Sequence, residues 1–456
     1  MAHPKERSGV TTALSSTLPA RRPGTRWPAG VKPSAEFQSA ITASEEGDSL
    51  FITGRAGTGK STLLRCLRAN LRARTAVLAP TGLAAINVQG QTIHSFFGFP
   101  PQFITPEVVK RARRTALLRN LDTLIIDEVS MVRADLMEGM DLALRIARKE
   151  TKLPFGGVQL LALGDLHQLP PVVREQELQT LFAESFGGYF FFNAPVFRDA
   201  PLSRLELQHV YRQSDESFLH ALNNVREGQP SREDLEVFNE RVMPFRSLPR
   251  ADDYVVLTPI NQAADQTNRA FLERLAGGVT SFEAAVTGKF EPSAYPTDAM
   301  LTLKEGCKVV LLRNDPDKRW VNGTQALVKR IRGQSVWIEV AGEEHELEPA
   351  TWENLRYEHD PEKDRIVERV VGSFRQLPVR LAWALTIHKS QGMTLDKVYV
   401  DFGRGAFAHG QAYVALSRCR SLGGLALARP ISRYDVKFDE RALGYRSLFP
   451  ALKRAA

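Results

Sequence analysis

Cysteine is scarce in this chain: Cys66, Cys307 and Cys419 are odd in number and far apart. No Cys-x-x-Cys pair or Cys/His spacing accompanies them, so neither a disulfide framework nor a zinc site is supported, and a reducing interior fits best. Long apolar runs are missing as well; none approaches the roughly 20 residues that a membrane helix needs. Acids are almost absent from residues 1–33, where Lys5, Arg7, Arg21, Arg22, Arg26 and Lys32 stand against Glu6 alone. Ser, Thr, Pro and Gly fill much of the remainder, and the segment reads as a disordered basic arm. An Arg- and Ser-rich, acid-poor start also suits an organellar transit peptide, although the prolines interrupt a long amphipathic helix.

What is present is ordinary for a globular protein: 43% hydrophobic and 25% charged residues. At roughly 100–200 residues per domain, 456 residues make two to four domains. The net charge of +8 favours polyanionic partners, nucleic acid first, and equally suits a surface with excess arginine.

Short apolar runs alternate with helical stretches from about residue 34. Residues 49–53 (SLFIT), 76–79 (AVLA), 123–126 (TLII) and 159–163 (QLLAL) are apolar on consecutive positions, as parallel strands covered on both faces are. The pattern returns at 254–257 (YVVL) and 398–401 (VYVD). The expected fold is α/β, with two doubly wound halves and chemistry at the carboxyl ends of the strands. Residues 307–312, 324–331 and 335–340 alternate with Gly and charged turns and read as a small antiparallel β insertion.

Residues 54–61, GRAGTGKS, fit G-x-x-x-x-G-K-[ST] between a strand and a helix. In that pattern backbone N–H groups wrap phosphate oxygens, Lys60 reaches the β- and γ-phosphates, and the Ser61 hydroxyl ligates Mg²⁺. Gly54, Ala56, Gly57, Thr58, Gly59 and Thr62 complete the expected ATP-binding set. Asp127 and Glu128 close the strand at 123–126; Asp127 would hold Mg²⁺ and Glu128 would polarise the attacking water. Gln168, in GDLHQLPP after the next strand, can reach a γ-phosphate. Arg212 and Arg418 are candidate arginine fingers, although an isolated arginine is usually a surface charge.

Taken together, these motifs resemble those of the superfamily 1 DNA helicases, specifically the PIF family. Besides GRAGTGKS, the resemblance rests on APTGLAAINVQGQTIHSFFGF (79–99), LIIDEVSMV (124–132), GDLHQLPPV (164–172), LQHVYRQSDESFLHALNNVREG (207–228), LAWALTIHKSQGMTLDKV (381–398) and YVALSRCRSLGGL (413–425). Residues 145–160 look like the family's signature segment. The resemblance implies two RecA-like domains with ATP between them, Arg212 and Arg418 acting across the cleft, Gln38 reading adenine, and Gln391 and Gly392 touching nucleotide and DNA together. It implies single-strand contacts at Thr81, His94, Phe96, His388 and Lys389, with core packing the alternative for the rings.

The implied domains are an arm (1–33), a first RecA-like domain (34–203) with a short wedge (97–117), a second in two pieces (204–322 and 380–440), an SH3-like insertion (323–379) and a tail (441–456). Leu166-His167 replaces residues that are often aromatic in the family. The expected activity is ATP- and Mg²⁺-dependent, 5′-to-3′ translocation and duplex unwinding in DNA repair, recombination or replication maintenance. The expected partners are single-stranded, tailed and forked DNA, and the expected state a monomer in a bacterial cytoplasm, or in a nucleus or mitochondrion were the source eukaryotic. The rival expectation is a DNA-stimulated ATPase that remodels protein–DNA complexes with little unwinding.

Overall fold

The computed structural model describes residues 25–71, 74–112, 115–173, 176–213 and 215–452. Most of the basic arm, Arg113 and Arg114 of the expected wedge, and the last four residues lie outside the described residues.

The apolar runs form the sheets that their patterning requires. Leu50–Gly54, Thr75–Ala79, Thr123–Ile126 and Gln159–Leu163 pair in parallel, in the order Gln91–Thr92, Thr75–Ala79, Thr123–Ile126, Gln159–Leu163, Leu50–Gly54, Ser203–Leu207. Period-2 alternation divides their side chains between two cores. Phe51 and Ile126 join the aromatic-rich face with Phe97, Phe191 and Phe197, while Ile52, Ile125 and Leu163 meet Phe37, Leu63 and Leu67 on the other. The second parallel sheet runs Ala384–Thr386, Val255–Thr258, Val398–Val400, Leu425–Leu427.

Three expected boundaries move. The first half extends past 203, because Ser203–Leu207 is the edge strand of the first sheet. The β insertion is larger than 323–379. Lys308–Leu311 and Val379–Leu381 belong to its five-stranded antiparallel sheet, and Ala285–Gly288 pairs with the long hairpin of Ala350–Asp360 and Arg365–Gln376. The expected tail is built into the first half: Tyr445 and Phe449 pack on Phe51, and Arg204 N–H donates to Pro450 O at 2.7 Å.

The expected wedge is anchored to the first core by a few apolar side chains, while most of its described residues are exposed. Phe97, Phe99, Ile104 and Val109 are buried in the first core, Ile104 N–H donates to Asp135, and Lys110 and Arg111 remain outside.

Candidate active site

The helix Lys60–Asn70 begins directly after the loop at 54–59, so the loop's amides and the helix N-terminus face one cleft. That cleft, of about 490 Å³, is lined by Ala56, Gly57, Thr58, Gly59, Lys60, Ser61 and Thr62 on one wall. Glu128, Gln168, Arg212, Gly392 and Arg418 line it from other elements. Close approach explains the glycine at 57: its φ is +84°, and a Cβ would stand 2.6 Å from the Cβ of Arg212. Tyr211 N–H donates to Gly57 O at 2.9 Å, so the segment carrying Arg212 lies against the loop. From the second half, Tyr413 accepts a 2.8 Å hydrogen bond from Ala56 N–H.

The electrostatics of this cleft call for an anion. Burial lowers the pKa of Lys60 and of Arg212, and burial together with the charge of Arg212 brings Arg418 down to about 9. Lys60 Nζ donates to Gly54 O and Arg55 O; Arg212 donates to Thr394 Oγ1 and Ser417 O; Arg418 donates to Val414 O and Ser417 Oγ. These hydrogen-bond partners are neutral, and for Lys60 and Arg418 burial outweighs the nearby carboxylates Asp165 and Glu128. A triphosphate would add negative charge beside them.

The acids show the complementary strain. Burial, then the neighbouring Glu128, pushes Asp127 up to about 7, and burial raises Glu128 too. Glu128 sits at φ 50°, ψ 42°, a left-handed conformation uncommon for a non-glycine residue. A divalent cation at Asp127 and the Ser61 hydroxyl would favour the ionised acids, so the donor set fits Mg²⁺.

Comparison with known proteins agrees with this geometry. The profile of PIF1-like helicases matches residues 35–236. The chain is 36% identical to the ATP-dependent DNA helicase PIF1 of Homo sapiens over 92% of this chain and 66% of that protein. It is 33% identical to the ATP-dependent DNA helicase Pif1 of Bdellovibrio bacteriovorus over 86% of this chain and 87% of that one. The chain belongs to the PIF1-like helicase family.

Among solved structures, Bacteroides Pif1 in complex with ADP-AlF4 is similar at TM-score 0.84 and 34% identity, covering 91% of this chain and 96% of that one. The ssDNA-bound form of the same relative, at the same identity and coverage, scores 0.64. The chain spans 66% of the length of the human relative, just under two thirds.

Measured against expectation, not every site residue reaches the cleft. Gln38, expected to read adenine, is exposed, and its carboxamide donates to Thr25 Oγ1 and Thr42 Oγ1. It lies outside the cleft lining, because the helix beginning at Ala35 turns Phe37 inward and Gln38 outward. Gly54, Asp127 and Gln391 also stand behind the lining, and Gln391 Nε2 is buried without a hydrogen-bond partner. Sequence reasoning missed Tyr211, Val321, Thr394 and Arg420, which do line the cleft. Tyr211 and Arg420 adjoin or nearly adjoin chosen arginines; Val321 arrives from the β insertion and left no local signal.

The residues expected to face DNA divide. Thr81 is exposed and caps the helix Gly82–Asn87, His388 is exposed, and His94 and Lys389 are half-buried. Phe96 corrects the expectation. Its side chain has 0% exposure, packed edge-on against Phe97 at 5.2 Å and Tyr357 at 5.9 Å. A ring so enclosed cannot stack on a base in this conformation; it is a core residue over which Tyr357 of the long hairpin lies.

Proposed function

We propose that this chain is an ATP-dependent DNA helicase that translocates 5′ to 3′ on a single strand. The observation that carries the reading is the trio of cations, half-buried Lys60 and Arg212 and buried Arg418, converging on the phosphate-binding loop beside Glu128 and Gln168. Lys60 and the loop amides bind the phosphates. Arg212 and Arg418, from beyond the first sheet, offset charge that develops on the γ-phosphoryl group. Glu128 takes a proton from the attacking water, and Gln168 orients that water. Mg²⁺, held by Ser61 and Asp127, would neutralise charge on the β- and γ-phosphates. ATP draws the halves together, hydrolysis releases them, and alternating grip through Thr81, His94, His388 and Lys389 moves the strand.

Strand binding requires the β insertion to part from the first half. Tyr357 covers Phe96, and Ala294 abuts Gly82, where a Cβ would stand 2.6 Å from Ala294 Cβ. Both contacts crowd the elements that carry Thr81 and His94. The higher TM-score to the ADP-AlF4 form than to the ssDNA-bound form supports this reading.

The test is unwinding of 5′-tailed, 3′-tailed and forked duplexes, with Lys60→Ala as control. Unwinding restricted to 5′-tailed and forked substrates, lost in Lys60→Ala while strand binding persists, is expected. Strand-stimulated ATP turnover with no unwinding of any substrate would favour protein–DNA remodelling instead, a reading that the shortness of the wedge supports.

A further inference from the structure

The turn that carries Gln168 is gripped from the second half by groups outside the ATP-site set. Asp165, at the start of that turn, is fully buried, and Arg226 at the end of the helix Glu216–Arg226 donates to it at 3.0 Å and 3.4 Å. The same carboxylate holds the turn itself: Oδ1 accepts from His167 N–H at 3.2 Å and Oδ2 accepts from Gln168 Nε2 at 3.4 Å. Gln168 N–H donates to Asp165 O at 2.9 Å. Arg226 is braced in turn by Glu227, and Glu227 by Arg446 of the C-terminal segment. A second hold lies beside the first. Asp439 N–H donates to His409 Nδ1, which leaves His409 Nε2 to donate to Leu166 O at 2.8 Å. The adjoining Gly410 sits so close that a Cβ would meet His167 O at 2.4 Å and Gln168 O at 2.6 Å.

Nothing about folding alone needs a buried guanidinium here, since apolar residues of similar volume would often serve stability as well or better. The arrangement does something else: it ties the position of the Gln168 carboxamide to the position of the second half. We propose that Arg226 is a positioning residue for ATP hydrolysis, setting Gln168 from across the cleft through Asp165. Closure of the second half on nucleotide and strand then reaches Gln168 by this link, with Arg226 itself touching neither substrate. The inference rests on the reading of Gln168 as the nucleotide-facing glutamine.

The experiment compares Arg226→Gln, Arg226→Lys, Gln168→Ala and the double variant Arg226→Gln/Gln168→Ala in the full chain. ATP turnover is measured across ATP concentrations with saturating single-stranded oligonucleotide, with a thermal melt for each variant. Arg226→Gln should lower kcat roughly 10- to 100-fold, as displaced catalytic groups do, with KM for ATP within about twofold. Arg226→Lys should recover part of that loss, and the double variant should be no slower than Gln168→Ala alone. A double variant slowed by the product of the two single effects would overturn the proposal, as would unchanged kcat in Arg226→Gln. Loss of kcat, ATP affinity and melting temperature together, without rescue by lysine, would reduce Arg226 to a structural part. Should Arg226→Gln fail to fold, Arg226→Lys retains the buried charge and undergoes the same kcat and double-variant comparison. Full turnover in Gln168→Ala would instead overturn the reading of the site on which the inference depends.

Discussion

Two surfaces join the halves of this molecule, and they are built on opposite principles. At the cleft, the Arg226 and Asp165 side chains keep 2% and 0% of their exposure, and Tyr413, itself buried, holds a P-loop amide. Burial would raise Asp165, yet Arg226, the His167 hydrogen bond and Lys60 hold it well below the usual carboxylate range. At the hairpin, Arg68 pairs with Glu368 and Arg74 with Asp364, all partly exposed, around a small buried centre in which Tyr357 and Ile366 join the first core and Tyr357 N–H donates to Gln91 Oε1. A space of about 320 Å³ remains between the residues around Gly82 and Thr92 and those around Lys289 and Arg356. The cleft contact cannot open fully without stranding buried charge; the hairpin contact gives up a few apolar contacts, two hydrogen bonds of Tyr357 and some solvated ion pairs. The contrast separates a surface that aligns chemistry from one that can yield to a strand.

The largest break in that comparison is at the cleft. Arg418→Ala should lower strand-stimulated kcat by roughly 10³- to 10⁵-fold, the range of arginine fingers, and leave strand affinity without nucleotide within about twofold. Steady-state turnover and fluorescence anisotropy with a labelled oligonucleotide check both halves of the statement. Equal loss of strand affinity would mean that Arg418 shapes the fold and not the phosphoryl transfer.

Asp165→Asn should come next, because it leaves Arg226 buried without its main counter-charge. Breaking such a pair costs about 3–5 kcal/mol, read by denaturant unfolding. The pH dependence has a definite sign. The folded pKa of Asp165 lies below its unfolded value, so its contribution is present above the ordinary carboxylate pKa near ~4 and is lost as pH falls through the folded value. The difference between wild type and Asp165→Asn should therefore be the same at pH 7 and pH 5.5. A difference that shrinks across that interval would place the acid's titration elsewhere.

A smaller effect is expected at the hairpin. Tyr357 Oη accepts from Val77 N–H at 3.2 Å, so Tyr357→Phe leaves a buried donor unsatisfied when the hairpin is docked. A loss of about 1 kcal/mol from docking should tighten binding of a labelled oligonucleotide by up to roughly fivefold, with strand-free ATP turnover unchanged. Weaker strand binding would show that the docked hairpin aids the strand.

The same contrast explains what was legible in the sequence. Residues 123–126 and 159–163 form strands with the expected bounds, because strands covered on both faces leave unbroken apolar runs. Ser203–Leu207 escaped because Arg204 and Glu206 give an edge strand the look of surface. The C-terminal segment escaped because its anchors, Tyr445 and Phe449, are two aromatics in a short stretch without strand or helix periodicity, whose partners lie near residues 51 and 191. Arg226 stood inside a quoted motif, yet its meaning depends on Asp165, 61 residues away. Phe96 shows the converse failure: a ring suited to stacking on a base is equally suited to a core, and only the surrounding atoms decide.

The smallest prediction tests whether the ion pairs of the hairpin matter at all. Exposed pairs contribute about 0–1 kcal/mol and are screened over a Debye length of about 8 Å at physiological ionic strength. Arg68→Ala and Arg74→Ala should each change strand affinity less than Tyr357→Phe does, and the change should fade as salt rises. Salt also weakens strand binding itself by counterion release, so wild type and variant must be compared at each salt concentration, not across concentrations. If the pairs only decorate the contact, the variant-to-wild-type ratio converges on one at high salt while the effect of Tyr357→Phe persists. A ratio that stays fixed for Arg68→Ala would mean that its stem packing on the hairpin, and not its charge, carries the contact.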